Sequence, residues 1–406
     1  MKNILVAQSG GPTAVINATL AGVVERALIS GEVCKIYGSL HGIKGVIDGN
    51  IIEIGQTLSS PDNLRLLAQT PASALGSCRY KLKPMADAPE DYKRIFDTFQ
   101  KHNISCFVYI GGNDSMDTVQ KLSAYAKEHN LAVSIMGAPK TVDNDLHGMD
   151  HSPGFSSAAK YISFTMSELW QDCCVYDIPA VTIVEIMGRH VGWLCASSAL
   201  AHKTCAAPHL IYLPEIPFDD IRFIEDIREK LQEHRAVVVA VSEGIRYADG
   251  TYVSESSQSS TVDMFGHKAL SGVCKALESL VRGQIGCKVR AIDLSLMQRS
   301  AAHLVSANDQ MEARMLGATA MDRALRGISA QVPVLRRVSS DPYLVEYDCV
   351  PVEMVANLEK AVPREWINDR GNGVTAEMME YLTPLVRGDI HCEIKDGLPQ
   401  HLVLNP

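Results

Sequence analysis

Short, continuous runs of apolar and β-branched residues recur along the chain, separated by longer stretches of helical spacing. Ile4-Leu5-Val6-Ala7 is followed by Ile16, Leu20, Val23, Val24 and Ala27 at helical intervals. Further runs cover 106–110, 133–136, 181–186, 210–213, 236–241 and 289–294, and the spacing predicts helices over 158–169 and 221–231. A strand without polar alternation must be covered on both faces. In a chain that alternates strand and helix, this means mainly parallel sheets sandwiched by helices, an α/β fold. At about 150 residues per domain, 406 residues suggest two or three domains.

The charge balance narrows the function. Lys and Arg number 38 against 47 Asp and Glu, a net charge of −9, which excludes a general nucleic-acid or membrane-surface binder. Eleven cysteines are scattered with no Cys-x-x-Cys pair, the pattern of reduced thiols in a cytoplasmic protein. Four apolar residues after Met1-Lys2-Asn3 are too few for a secretory leader, and the longest strand-like run, 236–241, is far too short to span a membrane. Thirteen histidines without His-Glu-x-x-His spacing argue against zinc. Several polar or unusual stretches read as structural. The segment 254–261 predicts an exposed loop, 311–321 a helix with a methionine core stripe, Lys160-Tyr161 a solvated pair, and Trp193 and His190 packing or supporting residues. From about residue 350 the chain reads as an elaboration on the core.

Glycine and polar clusters concentrate where strands end, which is where α/β folds place ligand loops. Ser9-Gly10-Gly11-Pro12-Thr13 lets main-chain N–H groups approach a phosphate, or forms a tight turn. Gly111-Gly112-Asn113-Asp114-Ser115 places polar and acidic side chains at a helix start, as ligands or as caps. Pro139-Lys140-Thr141-Val142-Asp143-Asn144-Asp145 packs a cation, a hydroxyl and two carboxylates into six residues, enough for a phosphate, a Mg²⁺ ion and a general base, or a solvated turn. No Walker A or Gly-x-Gly-x-x-Gly pattern is present.

In order and spacing these motifs resemble the phosphofructokinase family. His151-Ser152-Pro153-Gly154-Phe155, Val184-Glu185-Ile186-Met187-Gly188-Arg189 and Gln298-Arg299 extend the match. Pro363-Arg364-Glu365-Trp366 and Asp396-Gly397-Leu398-Pro399 resemble the carboxyl end of its pyrophosphate-using branch. The resemblance covers nearly the whole chain. It implies two Rossmann-like domains, with the active site in the cleft between them. The expected boundaries are 1–153 for a domain binding pyrophosphate and magnesium, 154–298 for a sugar-phosphate domain, and 299–406 for segments shared between the two plus an elaboration.

The resemblance also implies phosphoryl transfer to the C1 hydroxyl of fructose 6-phosphate. Asp143 matches the catalytic base, flanked by Thr141 and Asp145, and Arg79 matches the arginine that contacts the transferring group. Gly11, Gly112, Asn113, Asp114 and Lys140 fall on the donor side, with Asp114, Asn113 and Asp145 the expected Mg²⁺ residues. Met187, Gly188 and Arg189 match the sugar loop, and Glu243 matches a carboxylate on sugar hydroxyls. Arg290 and Arg299 match the grip on the 6-phosphate. The counterpart of Arg290 comes from a neighbouring subunit, which implies a homodimer or homotetramer. Relatives that use ATP carry glycine where this chain has Asp114 and Lys140; two side chains there exclude nucleotide by bulk and like charge and favour pyrophosphate.

Three positions depart from the family pattern. Asn113 replaces the usual Asp, Ala180 stands where many relatives carry a partner-subunit arginine, and Leu296 replaces a His or Tyr before Gln298-Arg299. The last two leave room for an acceptor such as sedoheptulose 7-phosphate, and no nucleotide effector site aligns. The rival readings are an ATP-dependent enzyme of the same fold and a non-catalytic regulatory subunit.

Overall fold

A computed structural model of the chain describes residues 1–257 and 272–404. The strands are β1 (Lys2–Gln8), β2 (Val33–Ser39), β3 (Ile51–Glu53), β4 (Ile104–Gly111), β5 (Ser134–Pro139), β6 (Ala180–Ile186), β7 (Leu210–Tyr212), β8 (Ala236–Ser242), β9 (Lys288–Asp293), β10 (Gln331–Ser340) and β11 (Tyr343–Pro351). Six helices matter below: α1 (Ile16–Ser30), α2 (Asn113–Glu128), α3 (Phe155–Cys173), α4 (Asp220–Glu233), α5 (Val273–Gln284) and α6 (Ala307–Leu325).

The chain divides into two units. One comprises Met1–Ser157, Arg299–Glu359 and Arg387–Pro406; the other comprises Ala158–Gln298 and Lys360–Val386. The first crossing falls inside α3, and the stretch after residue 298 contributes to both units.

In the first unit the sheet order is β11-β10-β5-β4-β1-β2-β3. The strands β2, β1, β4 and β5 run parallel, β10 joins β5 in parallel, and β3 and β11 close the edges antiparallel. Successive side chains of a strand point to opposite faces, and β1 has two apolar faces to fill. Ile4 and Val6 pack with Ile16, Leu20 and Val23 of α1 and with Ala313, Ala320 and Ala324 of α6. Leu5 and Ala7 enter the opposite core with Ile95, Phe99, Met116 and Leu122. The chain leaves β1 for β2 on one side and returns to β4 on the other, so β1 and β4 flank a topological switch point.

The second unit is built on a smaller parallel sheet of order β7-β8-β6-β9. Val181, Ile183, Val237 and Val239 pack with Phe223 and Ile227 of α4 and Leu277 and Val281 of α5.

Three structural expectations need correction. Helix α6 does form, but Met311 and Met315 are exposed and only Met321 of that stretch joins the core, because the inward stripe is made of small residues. Lys160 is buried, since the first turn and a half of α3, residues 155–160, is enclosed on every side. Ser254 is also buried, within a short 3-10 turn at Val253–Ser257, while 258–261 lie outside the described residues. Among the described residues no helix is long and apolar enough to cross a membrane.

Small residues let α1 and α6 approach to backbone contact. A Cβ at Gly22 would stand 1.9 Å from the Arg314 carbonyl oxygen, and one at Gly317 would stand 2.1 Å from that of Thr19. Gly317→Ala gains about 1 kcal/mol of helix propensity but must force two backbones apart. We expect a net loss of about 1–3 kcal/mol, the usual cost of overpacking, read as a lower urea midpoint. A raised midpoint would refute the close crossing.

Candidate active site

The site of the first unit begins where the parallel ladder ends. Ser9 N donates to Ile110 O at 2.9 Å and Lys140 N to Gly111 O at 2.9 Å. Beyond those bonds lie three neighbouring loops at the carboxyl ends of β1, β4 and β5. Gly10 has a φ of +74°, a conformation that suits glycine. Its carbonyl accepts from Ser77 Oγ at 2.6 Å, which ties the 76–79 turn, and with it exposed Arg79, to this loop.

Two cations stand over that glycine turn. Lys140 Nζ donates to Gly11 O at 2.7 Å. A Cβ at Gly10 would lie 3.2 Å from Lys140 Nζ, and one at Gly11 would lie 3.0 Å from Arg299 Nη1. Only 2% of Lys140 is exposed. Burial pushes its ammonium down to about 8; the charges of Asp143 and Asp145 resist the fall, and the Arg299 charge adds to it. Arg299, matched to the sugar 6-phosphate, thus stands beside the Gly10-Gly11 turn.

The carboxylates follow in a tight loop. Asp143 N donates to Thr141 Oγ1 at 3.1 Å, and Thr141 N donates to Pro153 O at 3.2 Å. Asn144, buried with a φ of +58°, turns the chain and accepts from Ser152 N at 3.0 Å. Burial, followed by the charge of Asp143, pushes Asp145 up to about 7. Its Oδ1 is buried without a hydrogen-bond partner. An orphaned carboxylate oxygen beside a second carboxylate fits a hard divalent cation with oxygen ligands.

Helix α2 starts from Gly112 with no side-chain cap, so its first N–H groups and its dipole favour an anion. Asp114, in that first turn, is half exposed and lies 3.4 Å from Lys81 Nζ. Asn113, expected beside the metal, is engaged by the main chain. Its Oδ1 accepts from Asn357 N at 2.5 Å and its Nδ2 donates to Leu358 O at 2.7 Å, so both polar atoms fasten the 357–358 main chain.

In the second unit, the loops after β6 and β8 carry the residues matched to the sugar. Gly188 N donates to Glu243 Oε1 at 3.2 Å, Glu243 N to Ile186 O at 2.9 Å, and Met187 N to Gln298 Oε1 at 3.2 Å. A Cβ at Gly244 would stand 1.9 Å from Arg189 O. These contacts fix Met187, Gly188, Arg189 and Glu243 as one group. Arg290 is not among them. It pairs in register with Thr182, four residues before the end of β6 and hence about 13 Å back along the strand, where its guanidinium lies 5.8 Å from the Tyr176 ring.

Two contributors were missed from sequence. Lys81, the partner of Asp114, was signalled only by the basic run Arg79-Tyr80-Lys81-Leu82-Lys83. Glu359, whose charge helps to raise Asp145 and which bridges to Leu146, is more than 200 residues away in the chain and had no local signal.

Comparison with known proteins gives the chain its family. A family model described as phosphofructokinase matches residues 3–324. The chain is 38% identical over 402 residues to the pyrophosphate–fructose 6-phosphate 1-phosphotransferase of Halomonas elongata, covering 98% of this chain and 95% of that one. It is 39% identical over 406 residues to the protein of the same name from Xanthomonas campestris pv. campestris, covering 99% and 96%. The crystal structure of pyrophosphate-dependent phosphofructokinase from Nitrosospira multiformis superposes with a TM-score of 0.87 at 35% identity, covering 99% of this chain and 96% of that one.

The depressed Lys140 ammonium carries a pH signature. Above about 8 the free protein loses that charge, and a bound polyanion raises the affinity for the proton again. Pyrophosphate binding is therefore expected to take up a proton near pH 8–9 and to weaken as pH rises through that window, by up to about tenfold per unit. Calorimetry in buffers of different ionisation enthalpy measures the uptake, and comparison with Lys140→Met subtracts the ligand's own protons. Identical uptake in the two proteins would remove Lys140 from the donor site.

Proposed function

The chain belongs to the phosphofructokinase family, and we propose on that premise that it transfers a phosphoryl group from pyrophosphate to the C1 hydroxyl of fructose 6-phosphate. The products are fructose 1,6-bisphosphate and phosphate, and the reaction runs in both directions. One observation carries the choice of donor: the ammonium of Lys140, buried against Gly11 O, fills space at the glycine turn, where it would pair with an anionic phosphate.

Gly11, Gly112 and the first turn of α2 receive the phosphates, with Lys140 and Arg299 neutralising their charge. Arg79 contacts the transferring group. Asp114 bars a nucleotide by bulk and by like charge, and Lys81 holds its carboxylate. Met187, Gly188, Arg189 and Glu243 orient the sugar, while Thr141 steadies the loop that presents Asp143. Asp143 accepts the proton of the C1 hydroxyl as that oxygen attacks the phosphorus, and the departing phosphate keeps the electrons of the broken P–O bond. Asp145 and Asp114 would hold Mg²⁺, which supplies charge neutralisation to phosphate oxygens when bound.

The reading extends to the assembly. The place of Arg290, well back along β9 from its own sugar loop, supports a homo-oligomer in which it completes a neighbouring copy's 6-phosphate site. Eleven free thiols support a cytoplasmic location.

The deciding assay offers fructose 6-phosphate and Mg²⁺ with pyrophosphate or with ATP and quantifies fructose 1,6-bisphosphate. Product with pyrophosphate alone is expected; product with ATP alone would overturn the donor. Asp143→Asn should retain binding and cut turnover at least ~10²-fold. Near-normal turnover in that variant would sink the base assignment.

A further inference from the structure

A buried charged cluster lies behind the catalytic loop, and neither the phosphate loops nor the sugar loop uses it. Its centre is His151, with no exposed surface. Nδ1 lies 2.8 Å from Asp150 Oδ2, and Nε2 lies 2.8 Å from Glu312 Oε2. Both ring nitrogens meet carboxylates; with both carboxylates ionised, both nitrogens must carry hydrogen and the ring is an imidazolium. A neutral ring would aim a lone pair at one of the anions.

Each carboxylate is anchored in turn. Glu312, buried on α6, accepts from Tyr343 Oη at 2.6 Å. Asp150 Oδ2 accepts from Arg337 Nε at 3.1 Å and Nη2 at 2.8 Å, and Asp150 N donates to Leu335 O at 3.0 Å. The cluster therefore joins the 141–154 loop to α6 and to the β10–β11 hairpin. The groups facing His151 are Asp150 from its own loop and Glu312 from α6. Behind them stand Arg337, Tyr343 and Tyr347 of the hairpin and Asp309 of α6, the last two acting through Glu312.

The next residue connects this cluster to the chemistry. Ser152 N binds Asn144 Oδ1, Pro153 O receives Thr141 N, and Gly154 bridges to Thr141. The arm that His151 anchors is thus the arm against which Thr141 and Asn144, on either side of Asp143, are held.

We propose that His151 is a positioning residue that carries its charge at neutral pH: bonded to Asp150 and Glu312, it locks the return arm of the 141–154 loop to α6 and the β10–β11 hairpin, and so fixes the carboxylate of Asp143 for proton transfer. This rests on the function proposed above. Burial opposes the charge on His151, but the charge of Glu312 and the hydrogen bonds of both carboxylates outweigh it and push the ring up to about 9. Because the folded value exceeds the ordinary 6.5, the stabilisation is fully present below 6.5 and is lost as pH rises through about 9.

The test follows kcat and KM from pH 6.5 to 10 in wild type, His151→Gln and Glu312→Gln. Wild-type kcat should fall above about 9, with KM for fructose 6-phosphate steady. The loss of charge on Lys140 instead acts on KM for pyrophosphate, which separates the two titrations. Removing the Glu312 charge should move the kcat limb down by about one pH unit or more. His151→Gln should lose about 10- to 100-fold in kcat, the cost of a misplaced reacting group, with the limb abolished and KM for the sugar within about threefold. Unchanged kcat and an unmoved limb in both variants would overturn the lock. Nitrogen-15 resonances of wild-type histidine provide a readout without turnover: two protonated nitrogens at pH 7.5 are expected, and a neutral ring refutes the proposal. If His151→Gln fails to fold, the limb of Glu312→Gln and the nitrogen shifts still decide. If wild type does not use pyrophosphate, the function falls. The lock is then judged by hydrogen exchange at 141–145, expected about tenfold faster in Glu312→Gln and unchanged if the cluster does no positioning.

Discussion

The last ladder bonds of β1 and β5 are the constraint on which the first unit depends. Up to Ser9 N and Lys140 N the sheet satisfies its own backbone. Immediately beyond, three chains diverge at a switch point, and their polar groups need other partners. Lys140 answers part of that need by donating to Gly11 O, and α2 begins there with uncapped N–H groups. The result is a desolvated positive region between helix start and lysine, bounded by the carboxylates of Asp143 and Asp145. A phosphate completes this arrangement more fully than water does, since it returns charge to the ammonium and acceptors to the main chain.

What was legible in the sequence was whatever a single strand or loop settles locally. The runs in β1, β4, β6 and β8 are buried on both faces, and such strands have no choice but to be apolar throughout. The strands β2 and β10 escaped for the opposite reason. Val33–Ser39 mixes buried and exposed positions, and Gln331–Ser340 carries Pro333 and two arginines, because beyond Leu335 it leaves the core as a hairpin. The exposed methionines of α6 were misread because α1 approaches so closely that alanine and glycine, rather than methionine, fill the interface.

The candidate site divides along the same line. Lys140, Thr141, Asp143 and Asp145 sit within six residues, and their mutual placement follows from one loop. Asn113 depended on a distant segment: whether its amide faces a metal or the 357–358 main chain is decided by where the chain returns some 240 residues later, which no local pattern records. His151 illustrates a further limit. As part of His151-Ser152-Pro153-Gly154-Phe155 it was visible as a motif, but its two carboxylates come from a neighbouring residue and from α6, and only the fold brings them to opposite edges of one ring.

The glycines and cations of the Gly10-Gly11 turn are one solution rather than separate features. Gly10 must be left-handed, and a side chain on either glycine would press within 3.2 Å of the ammonium or the guanidinium above it. The turn is therefore narrow because two cations occupy it, and the cations are held because the turn exposes a carbonyl to one of them. Shortening residue 140 alone would leave Gly11 O without its lysine donor and Arg299 as the one cation of the pair beside the turn. It would leave the Asp114 carboxylate in place, paired with Lys81, which on the proposed function still opposes a nucleotide. On the proposed function, donor choice is thus distributed over the ends of three strands. That reading requires conversion toward a nucleotide to remove bulk at residue 140 and charge at residue 114 together, because each would independently oppose the same ligand.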